Sequence, residues 1–194
     1  MQLKMRNQYL EQENKKWMRL AGLNRLTGLP NSLMFYDVAL TKALKKGVTQ
    51  TVALACILIS PDGLGMVNLK HGRLAGDQLI VQIGDFLKQQ LEGNEQLFHV
   101  DGANFAILMP DATEGFARRK TLQIKNDYRE HMFTIAKQTF QNLTVSMGIA
   151  AIESSVPEEE LSGYVEQLYQ DLSRDLYESK VKNEHTVDIE SILE

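Results

Sequence analysis

The chain has 194 residues, 43% of them hydrophobic, enough for one compact domain with a substantial core and one additional element. A formal net charge of −4 gives no electrostatic reason to expect nucleic acid or an anionic membrane as a partner, because both attract basic surfaces. The longest apolar runs, such as 52–59, fall far short of the roughly 20 residues a membrane span needs, and no signal-peptide segment is evident; a soluble, cytoplasmic domain without membrane insertion is expected.

Residues 1–24 read as an amphipathic helix. Leu3, Leu10 and Trp17 fall seven apart, Leu20 and Leu23 extend the stripe, and Gln, Glu, Asn, Lys and Arg fill the positions between. Two and a half heptads are too few for a coiled coil to stand alone, and Asn7 and Asn14 lie at or near the seam. Self-association through the stripe and packing against the domain's own body are equally open. The abrupt charged start is the pattern expected of a helix continuing from an upstream sensory domain.

The segment 24–31 clusters Gly, Pro and Asn as a turn, after which Asn31 or Ser32 can cap a helix carrying Leu33, Phe35, Val38, Leu40 and Leu44. Residues 52–59 are apolar throughout and read as a central strand covered on both faces. Their one cysteine, Cys56, has no partner, which excludes a disulfide or a cysteine metal site within one chain and marks it as a small core residue. A glycine-rich loop over 61–65 and a helix over about 74–91 follow. Residues 96–100 and 105–109 are short strands joined by a hairpin turn at Asp101-Gly102-Ala103-Asn104. Then come a helix over 112–128, a strand over 143–152 and a long helix from Pro157 to about Lys182, entered through Glu158, Glu159 and Glu160. Strands alternating with helices predict an α/β sandwich built on a single sheet with helices on both faces.

Four stretches in this order carry a resemblance. Asn24-Arg25-Leu26-Thr27-Gly28-Leu29-Pro30-Asn31-Ser32 is similar to D-x-L-T-G-L-P-N-R. Asn68-Leu69-Lys70-His71-Gly72-Arg73-Leu74-Ala75-Gly76-Asp77 is similar to N-D-x-x-G-H-x-x-G-D, keeping Asn68, Gly72, Gly76 and Asp77. Ser146-Met147-Gly148 matches S-x-G, and Leu176-Tyr177-Glu178-Ser179-Lys180 matches L-Y-x-x-K. Together they resemble the GGDEF family of diguanylate cyclases. The resemblance implies a nucleotidyl-cyclase-like fold, an N-terminal signalling helix over 1–24, the domain itself over 25–188 and a tail or linker over 189–194.

The chemistry this family performs requires groups that the chain has exchanged. In a working cyclase the 3′-hydroxyl of one GTP attacks the α-phosphate of another across two facing domains, with divalent metal neutralising the phosphates. Such hard cations need carboxylate oxygens. The family's metal positions fall on Ser60 and on Ala103, within the altered motif Asp101-Gly102-Ala103-Asn104-Phe105. Asn104 replaces the acidic residue that assists the reaction, and an amide can neither take the proton nor carry the charge. Asp101 stands where the family brings a glycine close to nucleotide, Gly65 where it has a loop lysine, and Glu184 at the arginine of its closing G-R-N. Asp62 and Asp101 are the carboxylates available for a displaced metal site, although both read more simply as solvated loop aspartates. No metal, catalytic residue or cofactor is therefore expected.

Asn68 and Asp77, the guanine-reading pair of the resemblance, survive, as does the phosphate-binding Lys180; the bland alternative is that Asn68 and Asp77 merely cap a turn and a helix. Gly63 and Gly65 leave room for backbone amides to approach a phosphate, or serve turn geometry alone. The family's product-inhibition motif R-x-x-D falls on Glu92 and Glu95, so the arginine that would grip cyclic di-GMP is missing. His71, His99, His131 and His185 are scattered and read as surface or turn residues, and Arg118-Arg119-Lys120 as a solvated helix face. The resemblance thus implies a catalytically inactive bacterial module of cyclic di-GMP signalling. It would act through dimerisation or by contacting a neighbouring signalling domain such as a phosphodiesterase. A GTP sensor that binds weakly without turnover is the alternative, and an active cyclase with unorthodox ligands a third.

Overall fold

The computed structural model describes residues 21–49, 51–135 and 137–184, together with Arg6. The amphipathic stripe expected over 1–24, His185 and the tail over 189–194 lie outside the described residues, save Arg6 and 21–24.

Among the described residues six strands are present: β1 (Val52–Pro61), β2 (Gln96–Asp101), β3 (Asn104–Pro110), β4 (Phe133–Ile135), β5 (Gln138–Phe140) and β6 (Val145–Ser154). The main sheet has the order β2-β3-β1-β6, and every pairing in it is antiparallel. Successive side chains of β1 point to opposite faces, so a strand covered on both must be apolar at every position. Ala55, Ile57 and Ile59 enter one core with Ile107 and Met147, while Leu54, Cys56 and Leu58 enter the other with Phe98 and Leu108. Burial pushes the Cys56 thiol up to about 12, so it stays a protonated packing group.

Helices cover both faces. The first core is closed by α3 (Arg73–Gln89) and α4 (Glu114–Glu130), through residues such as Leu79, Ile83 and Ile124. The second is closed by α1 (34–48) and by α5 (Leu161–Glu184), through Phe35, Leu44, Leu168 and Leu172. α1 joins a π-helical stretch (Met34–Leu40), an α-helical turn (Thr41–Lys45) and a 3-10 turn (Lys46–Val48). Asn31 caps its start, its Oδ1 accepting from the Met34 amide at 3.2 Å. Among the described residues no helix is long and apolar enough to cross a membrane.

Two elements depart from the sequence expectation. The glycine-rich loop after β1 stops early, and a short helix, α2 (Leu64–His71), occupies most of the interval before α3. Its glycine, Gly65, and its single buried apolar residue, Val67, hide the helical period. The sheet is also not the only one, because β4 and β5 form a separate two-stranded ribbon. Three residues per strand leave no alternation to read, and the ribbon is held from outside: Gln82 on α3 donates to the Thr134 carbonyl at 2.6 Å and accepts from its amide at 3.1 Å.

Candidate functional site

The β2–β3 hairpin carries the centre of the site. Asp101 pairs with Asn104 across a turn of Gly102 and Ala103, and Gly102 adopts φ 51°, a conformation that side chains disfavour. A register shift between His99 and Asp101 re-aims the strand end. Phe105 is fully buried and anchors the turn to the first core. Ser60, 3% exposed, lies one residue beyond the last β1–β3 pair, Ile59–Phe105, and opposite Ser146 of β6.

His99 is not a surface residue. It is 1% exposed, stacks on Phe105 with ring centroids 4.7 Å apart, and binds at both nitrogens. The Gly102 carbonyl can only accept, so Nε2–H donates to it at 2.7 Å and Nδ1 accepts from the Thr27 hydroxyl at 3.0 Å. Burial outweighs the Gly102 bond and Asp101, both of which favour the charged ring, and holds the imidazole below its usual pKa, which favours its neutral form. The opening turn and the hairpin turn, about seventy residues apart in sequence, are thereby joined through one side chain.

The turn divides two grooves. One, of about 570 Å³, is lined by Asn68, Arg73 and Asp77 together with His99, Gly102 and Ala103. Asn68 folds its side chain over Gly76, where a Cβ would collide with the Asn68 carboxamide oxygen; this explains a glycine immediately before Asp77. The other groove, of about 450 Å³, holds Lys180 with Asp101, Asn104, Tyr36, Tyr169 and Tyr177. Asn68 and Asp77 are thus brought together, whereas Lys180 faces a different groove.

Asp62 is not a solvated loop carboxylate. It accepts from Thr144 Oγ1 at 2.9 Å, Ser146 Oγ at 2.8 Å and Asn183 Nδ2 at 3.0 Å, tying the end of β1 to β6 and to the end of α5. These bonds commit its oxygens to neighbours, and Asp101 lines the Lys180 groove. Among the described residues no group of three or more His, Cys, Asp or Glu side chains could hold a metal ion. The donors present do not fit the family's divalent cation, since Ser60, Ala103 and Asn104 offer no carboxylate and Asp62 is already bonded.

Glu92 and Glu95 surround Lys120, which is 3% exposed and so departs from the solvated face expected for its basic run. Its Nζ lies 2.9 Å from Glu95 and 3.2 Å from Glu92. Gly63, at φ 75°, precedes α2, and its carbonyl accepts from the Met66 and Val67 amides. The side chain of Glu184 lies outside the described residues.

The family model described as the diguanylate cyclase, GGDEF domain, matches residues 21–186. The chain belongs to the GGDEF domain family. Its setting is therefore cyclic di-GMP signalling at the level of the family. This GGDEF domain is 24% identical over 162 residues to the diguanylate cyclase DgcS of Shewanella oneidensis, covering 82% of this chain and 50% of DgcS. It is 29% identical over 106 residues to the diguanylate cyclase TpbB of Pseudomonas aeruginosa PAO1, covering 55% of this chain and 24% of TpbB. The chain spans half or less of these curated relatives' own length. The FimX GGDEF domain from Pseudomonas aeruginosa matches with a TM-score of 0.74 at 20% identity, over 83% of this chain and 94% of that one. The coiled coil and GGDEF domain of DgcB from Caulobacter crescentus, solved in complex with c-di-GMP, matches with a TM-score of 0.75 at 18% identity, over 93% and 92%. At such identities the likeness is one of fold.

Several residues of this GGDEF domain's site escaped the sequence reading. Arg73 was legible in principle, because it precedes Asp77 by four residues on one helix and so shares its face. His99 and Lys120 carried no local signal, since their partners come from other elements.

Proposed function

We propose that this GGDEF domain is a non-catalytic regulatory module of cyclic di-GMP signalling, working through contacts with a second copy or with neighbouring domains. The observation that carries the reading is the donor set around the hairpin turn. Ser60, Ala103 and Asn104 supply hydroxyl, methyl and amide where phosphoryl transfer needs carboxylates to bind metal and accept a proton. The carboxylate of Asp62 is bonded to Thr144, Ser146 and Asn183, so moving it to a metal would strip the Thr144 and Ser146 hydroxyls of their acceptor. At the family's product-inhibition positions, Glu92 and Glu95 neutralise Lys120 in place of presenting an arginine. Incubating the full chain with GTP and magnesium and analysing the mixture for cyclic di-GMP tests this directly. No product is expected, and turnover would overturn the reading.

A second reading, a GTP sensor without turnover, is favoured by the groove that gathers Asn68, Arg73 and Asp77. An amide, a carboxylate and a guanidinium supply donors and acceptors for a guanine edge and one cation for phosphate. Calorimetric titration with GTP separates the two: saturable binding that disappears in Asp77→Ala supports the sensor, and absence of binding leaves a contact module.

A further inference from the structure

We infer that the corner between α2 and α3 is a docking knob for a second copy of this chain, received by the acidic groove at the start of that copy's α5. Leu69 and Leu74, on either side of the corner at Gly72, are each 80% exposed, and Met66 shares a helix face with Leu69. Single exposed leucines are ordinary, but several at one convex corner mark a contact surface. The corner is also basic. No acidic residue occurs from Gly63 to Gly76, while Lys70 and Arg73 are exposed and, among the described residues, without an ion pair. Leu69 and Arg73 are two positions at which this chain leaves the N-D-x-x-G-H pattern, exchanging an acid for an apolar group and a histidine for a permanent cation.

The charge selects the occupant's geometry. A two-fold contact through this corner would set Lys70 and Arg73 against their own copies. A complementary surface lies on the same chain at the entrance to α5, where an open groove of about 460 Å³ is lined by Glu159, Glu160 and Tyr164. Glu158 is exposed beside it, and among the described residues none of the three glutamates has an ion pair. Knob and groove sit at opposite ends of the sheet. β1 leads into α2 from Pro61, whereas the end of β6 that leads towards α5, Ser154, pairs with the start of β1 at Val52. The contact is therefore head to tail, and copies add in series until a ring closes or a chain grows. Because Arg73 also lines the Asn68–Asp77 groove, docking would cover its lip. The inference rests on the reading of the domain as a contact module, yet it fails separately, since turnover overturns that reading and the association experiment does not depend on nucleotide.

Sedimentation of the full chain over a range of concentrations tests it. Concentration-dependent growth beyond a dimer is expected, weakened at least about tenfold by Leu69→Asp with Leu74→Asp and by Lys70→Glu with Arg73→Glu. A Glu159→Lys, Glu160→Lys copy should also fail to self-associate, yet pair with the Lys70→Glu, Arg73→Glu copy when the two are mixed. Unchanged thermal midpoints of the variants show that the fold is kept. A monomer at every concentration, a dimer indifferent to all these substitutions, or a charge swap that does not restore pairing overturns the inference.

Discussion

Gly148 has no room for a side chain. A Cβ there would meet the backbone of α5 at Leu172 and Leu176, so the helix crosses β6 at a separation only glycine permits. From that crossing the Ser179 hydroxyl accepts from the Met147 amide at 3.1 Å and the Asp175 carboxylate from the Ile149 amide at 2.8 Å, capping the free edge of β6. Gly148→Ala should cost about 2–3 kcal/mol in urea unfolding, with faster hydrogen exchange at the Met147 and Ile149 amides. His99 makes a second residue-scale prediction. Its folded pKa is depressed by burial, so the unfolded chain binds more protons as pH falls, and the stability present above the ordinary histidine value of about 6.5 is lost below it. Thermal midpoints of the native chain should fall between about pH 7.5 and about pH 5.5 more steeply than those of His99→Gln; equal slopes would remove the histidine from the account. The sequence named Asn68 and Asp77 as a pair, but not the Thr27–His99–Gly102 connection, whose members have no common motif.

At the scale of elements, long periodic segments were readable and short ones were not. β1, the β2–β3 hairpin, α4 and α5 follow from apolar runs, a turn of suitable composition and helical spacing. α2 and the β4–β5 ribbon do not, because one has a single buried apolar residue and the other depends on Gln82 of α3 to pair its edge. α4 shows the same limit in one residue. Arg118, Arg119 and Lys120 are alike in sequence, yet only Lys120 turns inward, to a Glu95 side chain that is 5% exposed. Lys120→Ala would leave that carboxylate buried and unpaired, and a loss of about 3–5 kcal/mol by denaturant unfolding is expected. A change under about 0.5 kcal/mol would return the lysine to a solvated face.

For the molecule as a whole, the hairpin turn lies between two grooves that divide the residues tied by resemblance to nucleotide. Restoring acids to the turn alone does not restore the arrangement. Ala103→Asp with Asn104→Glu should yield no cyclic di-GMP from GTP and magnesium, because Ser60 still lacks a carboxylate and Asp101 remains beside the turn. Product from that double variant, read chromatographically, would contradict the account of the site. The sequence by itself determined the family, the two-faced sheet and the chemical identity of the groups around the turn, since these depend on local order, apolar period and side-chain type. Tertiary structure alone decided that Asp62 is bonded rather than free, that His99 and Lys120 are interior, and that Lys180 parts from Asn68 and Asp77. Each of these turns on which distant segment supplies the partner, and that information lies in the packing of helices on the sheet and not in spacing along the chain.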